Sequence, residues 1–446
     1  MVLPYDDSNQ DSILRYAERL LNKTLRDFVD KKNITDIGDS PRWRWWYGNI
    51  IEKYYFLYEP NSRSEADFLK AGLELKTSPL KKLRSWKKVA KERLVMNMID
   101  FIWIVNEKWN DSSFLKKNKK LLLMFYLYEK DKSFRDYVME LVKIREFQDE
   151  DLLMMEQDWN VIQNKVKLWR AHEISEWDTF YLWACTKSQT NLDRRPQPFS
   201  DIMAKPRAFS LKQSYVNKII DRILKQEKEG ESILKDLLVL KKESFEWYVK
   251  KRFDDYLWKS PKEIANKLWV DLNEKDKEYH AKLARLILWV KWKKIEEFEK
   301  ADVTMKVIRL NPKWKLKESV SFPAFNPKEI VNQEREDSGV LQMMDKKFFF
   351  VIFQYDDKKN LFLKKVMFWN IPYSDLDIDI RWVFDETKRR INAWKNKSLP
   401  KIKENLVSHV RPHGKNKDDI VEYPNGEKDV KKCFRLNAKY IEKQIQ

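Results

Sequence analysis

Cysteine is almost missing from this chain: Cys185 and Cys433 are the only two in 446 residues and lie far apart. Neither a disulfide framework nor a cysteine zinc cluster is available from them. Histidine is as scarce, four in all, which disfavours histidine-metal chemistry and zinc-finger readers. The seven glycines form neither a GxxxxGK[ST] loop nor a GxGxxG turn, so nucleotide-driven translocation is not indicated. No apolar run of about 20 residues occurs, and Met1 to Leu20 carries no signal-peptide pattern; the expectation is a cytoplasmic protein without a membrane role. A catalytic metal, if one is used, has to sit on carboxylates.

What the chain has in excess is positive charge. Lys and Arg number 89 against 70 Asp and Glu, a net +19, which points to a polyanionic partner, DNA or RNA first. A chain of this length suggests two or three domains. The stretch Asp67-Phe-Leu-Lys-Ala-Gly-Leu-Glu74-Leu-Lys76 then becomes the candidate site. Leu73 and Leu75 alternate with Glu74 and Lys76, so a strand puts the acid and the amine on one face, with Asp67 entering from the turn before it. Two hard carboxylates can hold Mg²⁺ with part of its water shell, while an ammonium neutralises a phosphate or orients an attacking water. An acid and a lysine two residues apart on a solvated strand face are also common, so the motif draws its weight from the basic composition around it.

A diverged tandem repeat runs through the chain. Ala208-Phe-Ser-Leu-Lys-Gln-Ser-Tyr215 is echoed by Cys433-Phe-Arg-Leu-Asn-Ala-Lys-Tyr440, Ala184-Cys-Thr-Lys187 by Val410-Arg-Pro-His413, and the Trp159 helix by Trp382. Asp67-Phe68 aligns with Glu297-Phe298, and Glu74-Leu-Lys76 with Thr304-Met-Lys306, so the second copy keeps the lysine and loses the central carboxylate. One active and one inactive copy are expected, with boundaries at 1–222 and 244–446 and a charged helical linker over 223–243. Each copy opens with helices, continues as strands, and closes with a Trp helix and a hairpin-and-helix unit. That is a mixed α/β (α+β) architecture, a central sheet flanked by helices.

The motif Asp67…Glu74-Leu-Lys76-Thr77, the preceding Gly48-Asn-Ile-Ile-Glu52 and the later Lys205-Pro-Arg-Ala-Phe-Ser-Leu-Lys212 resemble MutH, the strand-nicking mismatch-repair endonuclease. The fuller resemblance is to its tandem two-domain relatives, type II restriction endonucleases of the Sau-three-A-I type, and it includes Gln197-Pro-Phe-Ser-Asp201 and His409-Val-Arg-Pro-His413. It implies a PD-(D/E)xK nuclease fold, Mg²⁺ dependence, cutting of double-stranded DNA at GATC and a second domain that binds DNA without cutting. It also implies Asp67 and Glu74 as metal ligands, Lys76 as the water- or phosphate-orienting base, Glu52 as a further acid, and Lys117 near another family lysine that contacts DNA. Ala66 stands in place of the family's proline, and Ser210 where the mismatch-repair enzyme has an aromatic hydroxyl. Expected partners are duplex DNA, a further copy through self-association or looping, and a cognate methyltransferase. A repair nickase on hemimethylated DNA and a catalytically decayed DNA-binding regulator are the rival readings.

The basic, proline-punctuated segment Lys187 to Lys212 suits a major groove, where Arg and Lys read guanine. Lys187, Lys205, Arg207, Ser210 and Lys212 are its candidates, with Arg411, His413, Lys415 and Arg435 at the corresponding places in copy two. Phosphate contact is the plainer role for each. The Arg42-Trp-Arg-Trp-Trp-Tyr47 cluster offers stacking on unpaired bases, but the nineteen tryptophans read chiefly as core, Trp159, Trp177 and Trp382 above all. His409 and His413 share a strand face about 13 Å apart, which is too far for joint metal ligation.

Overall fold

The computed structural model describes residues 3–29, 43–60, 65–83, 85–175, 177–187, 193–225, 230–316, 319–333, 338–414 and 416–446. Two runs organise it. Leu121 to Tyr126 and Phe348 to Phe353 are at most 2 % exposed. Apolar runs this short, buried on both faces, make central strands.

In the first half the strands are β1 Glu74–Lys82, β2 Lys88–Ala90, β3 Leu94–Met98, β4 Lys120–Leu127, β5 Met139–Glu146, β6 Leu182–Thr186, β7 Arg195–Gln197, β8 Ser200–Ala204 and β9 Arg207–Leu211. They form a mixed sheet β2-β1-β4-β5, a sheet β3-β9-β6 and the hairpin β7-β8. In the second half, β10 Val303–Leu310, β11 Val320–Ala324, β12 Lys347–Tyr355, β13 Leu361–Asn370, β14 Ser408–Pro412, β15 Ile420–Glu422, β16 Lys428–Val430 and β17 Lys432–Leu436 repeat the scheme as β10-β12-β13, β11-β17-β14 and β15-β16. In each copy the motif strand runs parallel to the central strand, and the next pairing is antiparallel. The register fixes the alignment: Glu74 faces Leu121, the second residue of β4, and Thr304 faces Phe348, the second residue of β12. The two copies therefore share one topology.

The chain divides into two compact units. Met1–Glu229, Asp236–Ser244 and Glu299–Asp302 make the first, and Gly230–Lys235, Phe245–Phe298 and Val303–Gln446 the second. The helical linker expected over 223–243 needs correction. The helix Gln213–Ile223 ends there with Tyr215, Val216, Ile219 and Ile220 in the core of the first unit, and among the described linker residues only the 3-10 turn Leu237–Lys241 is helical. High charge made the stretch look like a solvated helix, whereas its apolar residues Ile233, Leu234 and Leu240 are buried.

The Trp helices are Asp149–Lys167 and Arg381–Asn392. The first is tied to β6 by Asp158, whose buried carboxylate accepts from the backbone N–H groups of Phe180, Tyr181 and Leu182 at 2.6–2.9 Å; such charge-assisted bonds orient a helix strongly. Trp159 and Trp177 are buried as expected, but Trp382 is 42 % exposed, because Val383, Phe384 and Ile391 take the inward face of its helix. Among the described residues no helix is long and apolar enough to cross a membrane.

Candidate active site

Two local devices bring the acids together. Gly48 lets the helix Trp43–Ile50 lie close to β1: a Cβ there would stand 3.1 Å from Thr77 Oγ1 and 3.9 Å from Glu52 Oε1. The helix runs on as a π turn, Ile51–Tyr55, which carries Glu52. On the other side the 3-10 turn Leu69–Ala71 closes at Gly72, whose φ of 60° is left-handed and suits glycine. The Phe68–Leu73 bridge then folds Asp67 back onto the start of β1.

The result is a ring of reciprocal bonds. Asp67 Oδ2 accepts from the Leu75 N–H at 3.0 Å, and Glu74 Oε2 accepts from the Asp67 N–H at 3.1 Å. Lys76 Nζ donates to Glu74 Oε1 at 2.7 Å and to the Met96 carbonyl of β3 at 2.8 Å. Lys117 Nζ lies 3.7 Å from the same Glu74 oxygen. Lys117, expected to contact DNA, sits buried beside Glu74 at the end of the Ser113–Asn118 helix. The signal for this was weak in sequence, since the helix reaches the site from some forty residues away.

Electrostatic crowding marks the cluster. Burial, then the Glu74 and Glu52 carboxylates, push Asp67 up to about 7. Burial also raises Glu52, with the Lys76 charge opposing and Glu74 adding to the rise. Tyr58, which the sequence did not single out, has its phenol raised by burial and by the charges of Asp67, Glu52 and Glu74. Among the described residues no three His, Cys, Asp or Glu side chains form a closed metal cage. Two adjoining carboxylates that repel each other, Glu74 buried and Asp67 partly so, nonetheless suit Mg²⁺, a hard cation bound through one or two carboxylates.

The candidate recognition residues fall into two groups. Lys187 and Lys205 are exposed. Arg207, Ser210 and Lys212 are not presented to a ligand as expected. The Arg207 guanidinium donates to the carbonyls of Ala184 (3.0 Å) and Ile174. Ser210 is fully buried in β9 between Val95 and Trp183. Lys212 is 3 % exposed, donating to the Ala301 carbonyl and lying 3.9 Å over the Trp183 ring. Charge pattern alone placed these three on a loop, whereas Arg207 and Ser210 belong to the strand β9 and Lys212 stands at the start of the helix that follows it.

In the second copy Arg411 and His413 are exposed, Arg435 is half-buried, and Lys415 lies outside the described residues, as does Arg42. Tyr47 of the aromatic cluster is core, stacked 3.8 Å from Tyr126. His409 is buried with Nδ1 2.5 Å from Asn437 Oδ1. Lys306 repeats the Lys76 geometry, reaching the Ser321 carbonyl of β11 at 3.4 Å, and burial lowers its pKa. Glu297, aligned with Asp67, is turned elsewhere: its carboxylate is bonded to the Ser232 hydroxyl and to the N–H groups of Ile233 and Leu234. The second copy therefore lacks both acids of the first.

A family model for the DNA mismatch repair enzyme MutH matches residues 56–158, the segment that holds Tyr58, Asp67, Glu74, Lys76 and Lys117. The chain is 31 % identical to the type II restriction enzyme Sau3AI of Staphylococcus aureus over 471 aligned positions, 93 % of either chain. It is 23 % identical to the DNA mismatch repair protein MutH of Shewanella woodyi over 225 positions, half of this chain and 95 % of that one.

Proposed function

The chain belongs to the type II restriction endonucleases that share a MutH-like domain, and from that membership we propose that its first copy hydrolyses phosphodiester bonds of unmodified duplex DNA at GATC with Mg²⁺. The observation that carries the reading is the convergence of Asp67, Glu74, Lys76 and Lys117 in one copy, set against Thr304 and a diverted Glu297 in the other. A bound divalent cation would offset phosphate charge and supply an acidified water. Asp67 and Glu74 would hold that cation. Lys76, fixed by Met96 O, presents its ammonium to the scissile phosphate or to the attacking water. Lys117, 3.7 Å from Glu74 Oε1, helps hold that carboxylate in place, and Glu52 bounds the site from the helix side.

The second copy, over roughly the boundaries 244–446, acts in this reading as a DNA-binding module for a second site through Arg411 and His413. Self-association or looping on DNA, a cytoplasmic setting and a cognate methyltransferase that protects host sites complete it. The test is a digest of methylated, hemimethylated and unmethylated GATC plasmids with Mg²⁺, with the fragment ends sequenced. Linear products with common ends from one DNA form support the proposal. Nicking confined to hemimethylated DNA favours a repair nickase, and binding without cutting favours a regulator. Glu74→Gln is expected to abolish cutting and leave binding intact, which a regulator would not distinguish.

A further inference from the structure

Tyr58 is built into the acidic cluster with a hydroxyl that has no hydrogen-bond partner in the structure. Its backbone N–H donates to the Glu52 carbonyl at 3.2 Å, and its ring packs edge-on against Phe68 at 5.5 Å, next in the chain to Asp67. The phenol is thus fixed from both acid-bearing segments, and the charges that act on it are those of Asp67, Glu52 and Glu74. Leaving a buried hydroxyl unmet costs stability. A phenylalanine would fill the same space without that cost. The phenol remains a donor among carboxylates, the group a hydrated cation brings an acceptor to.

We propose that Tyr58 is a positioning residue of the nuclease site, its hydroxyl donating to a water that enters with the divalent cation. This rests on the endonuclease reading above. The water, held between Tyr58 and the carboxylates, is orientated before the phosphate arrives, which is the role of outer partners in metal sites. The test is Tyr58→Phe, read in three ways. Calorimetric titration with Mg²⁺ on a GATC duplex carrying non-hydrolysable linkages should show affinity weakened by about 10- to 100-fold. In plasmid cleavage kcat should fall by a similar factor with KM unchanged. The Tm of the metal-free protein should stay level or rise, because the unmet hydroxyl is gone. A lowered metal-free Tm, or unchanged metal affinity and kcat, overturns the proposal. If the wild-type protein itself fails to cut, the endonuclease reading is what fails, and the Mg²⁺ titration still decides the role of Tyr58.

A separate observation concerns the chain's own composition. Of thirteen non-glycine residues with positive φ among the described residues, seven are tryptophan, although tryptophan makes up only 19 of 446 residues. Four of them, Trp169, Trp269, Trp289 and Trp394, follow the C-caps of helices. At each, the tryptophan N–H and the next N–H both bond back into the last turn, as Trp269 to Asn266 O and Val270 to Ala265 O. That pairing is the helix-ending motif whose left-handed residue is ordinarily glycine. Trp86, Trp258 and Trp314 also have left-handed φ, away from those helix ends, and Trp269 is 94 % exposed, so packing does not account for it. Glycine is correspondingly rare at seven.

We infer that these seven positions are glycine in the polypeptide made by the source cell. The triplet UGA, read as tryptophan in some genetic codes and as glycine in others, links the two residues. Peptide mass spectrometry of the protein isolated from that cell tests it: glycine at these positions is expected, and tryptophan overturns it. In recombinant protein Trp269→Gly should raise Tm, and a fall would remove the backbone argument.

Discussion

Asp67 is held where ionisation is hardest, against Glu74 and Glu52 and away from bulk water, and this has a pH signature. An ordinary aspartate loses its proton near 4, whereas the folded chain keeps the Asp67 proton to about 7. Between those values the folded state binds more protons than the unfolded state, so stability of the metal-free protein falls as pH rises through that window. Glu52, also raised, adds in the same direction. A metal-free Tm that declines from about pH 5 to about pH 8, and flattens in Asp67→Asn, is the expected result. Added Mg²⁺ should reverse the decline, since a cation takes the place of the proton. A Tm that rises with pH over this range would remove the crowding argument. At this scale the spacing Asp67…Glu74-x-Lys76 was legible because a strand period puts two of its members on one face. Lys117 and Tyr58 were not legible as site groups, since tertiary folding alone brings them in, and the burial of Ser210 in β9 and of Lys212 just after it depends on partners distant in sequence.

Elements carry the difference between the two copies, and they set a limit on converting the second into the first. β10 reproduces β1 in register and retains Lys306, so Thr304→Glu restores the lost central acid in the right place. It does not restore Asp67, because Glu297 is committed to Ser232, Ile233 and Leu234. In a Glu74→Gln background, Thr304→Glu is therefore expected to leave plasmid DNA uncut; any Mg²⁺-dependent cutting would show that Glu297 can swing free. A second element-level prediction concerns the first unit's own packing. Lys300, 1 % exposed, is bonded to Asp151 at 2.7 Å, and Tyr215 donates to the other Asp151 oxygen at 2.6 Å. Lys300→Ala leaves a buried carboxylate without its cation, at a cost of about 3–5 kcal/mol, measurable as a lowered denaturation midpoint, while Lys300→Met with Asp151→Asn should recover much of it. The repeat itself was readable from short matched segments, and the buried apolar run Phe348 to Phe353 accounts for the central place of β12. The helical linker was misjudged because charge along Lys225 to Glu231 outweighed the few apolar residues that anchor the stretch.

A chain that carries two copies of one fold, only one of them with the acids for cutting, gains from the second only if DNA binding there affects the first. Two modules joined by one chain turn the second binding event into an intramolecular one, and local concentration rises without any new contact. With a net charge of +19, both binding events would be steeply salt-dependent, since each neutralised phosphate releases counterions. The expected outcome is that plasmids with two GATC sites are cut faster than one-site plasmids at equal site concentration, and that the advantage shrinks as salt rises. Arg411→Ala with His413→Ala should remove the two-site advantage and leave the one-site rate unchanged, because neither residue belongs to the cluster around Asp67. Equal rates on the two plasmids would confine the second copy to a structural role. A loss of one-site cutting in the double variant would instead mean that both copies grip a single site, as the two halves of one clamp.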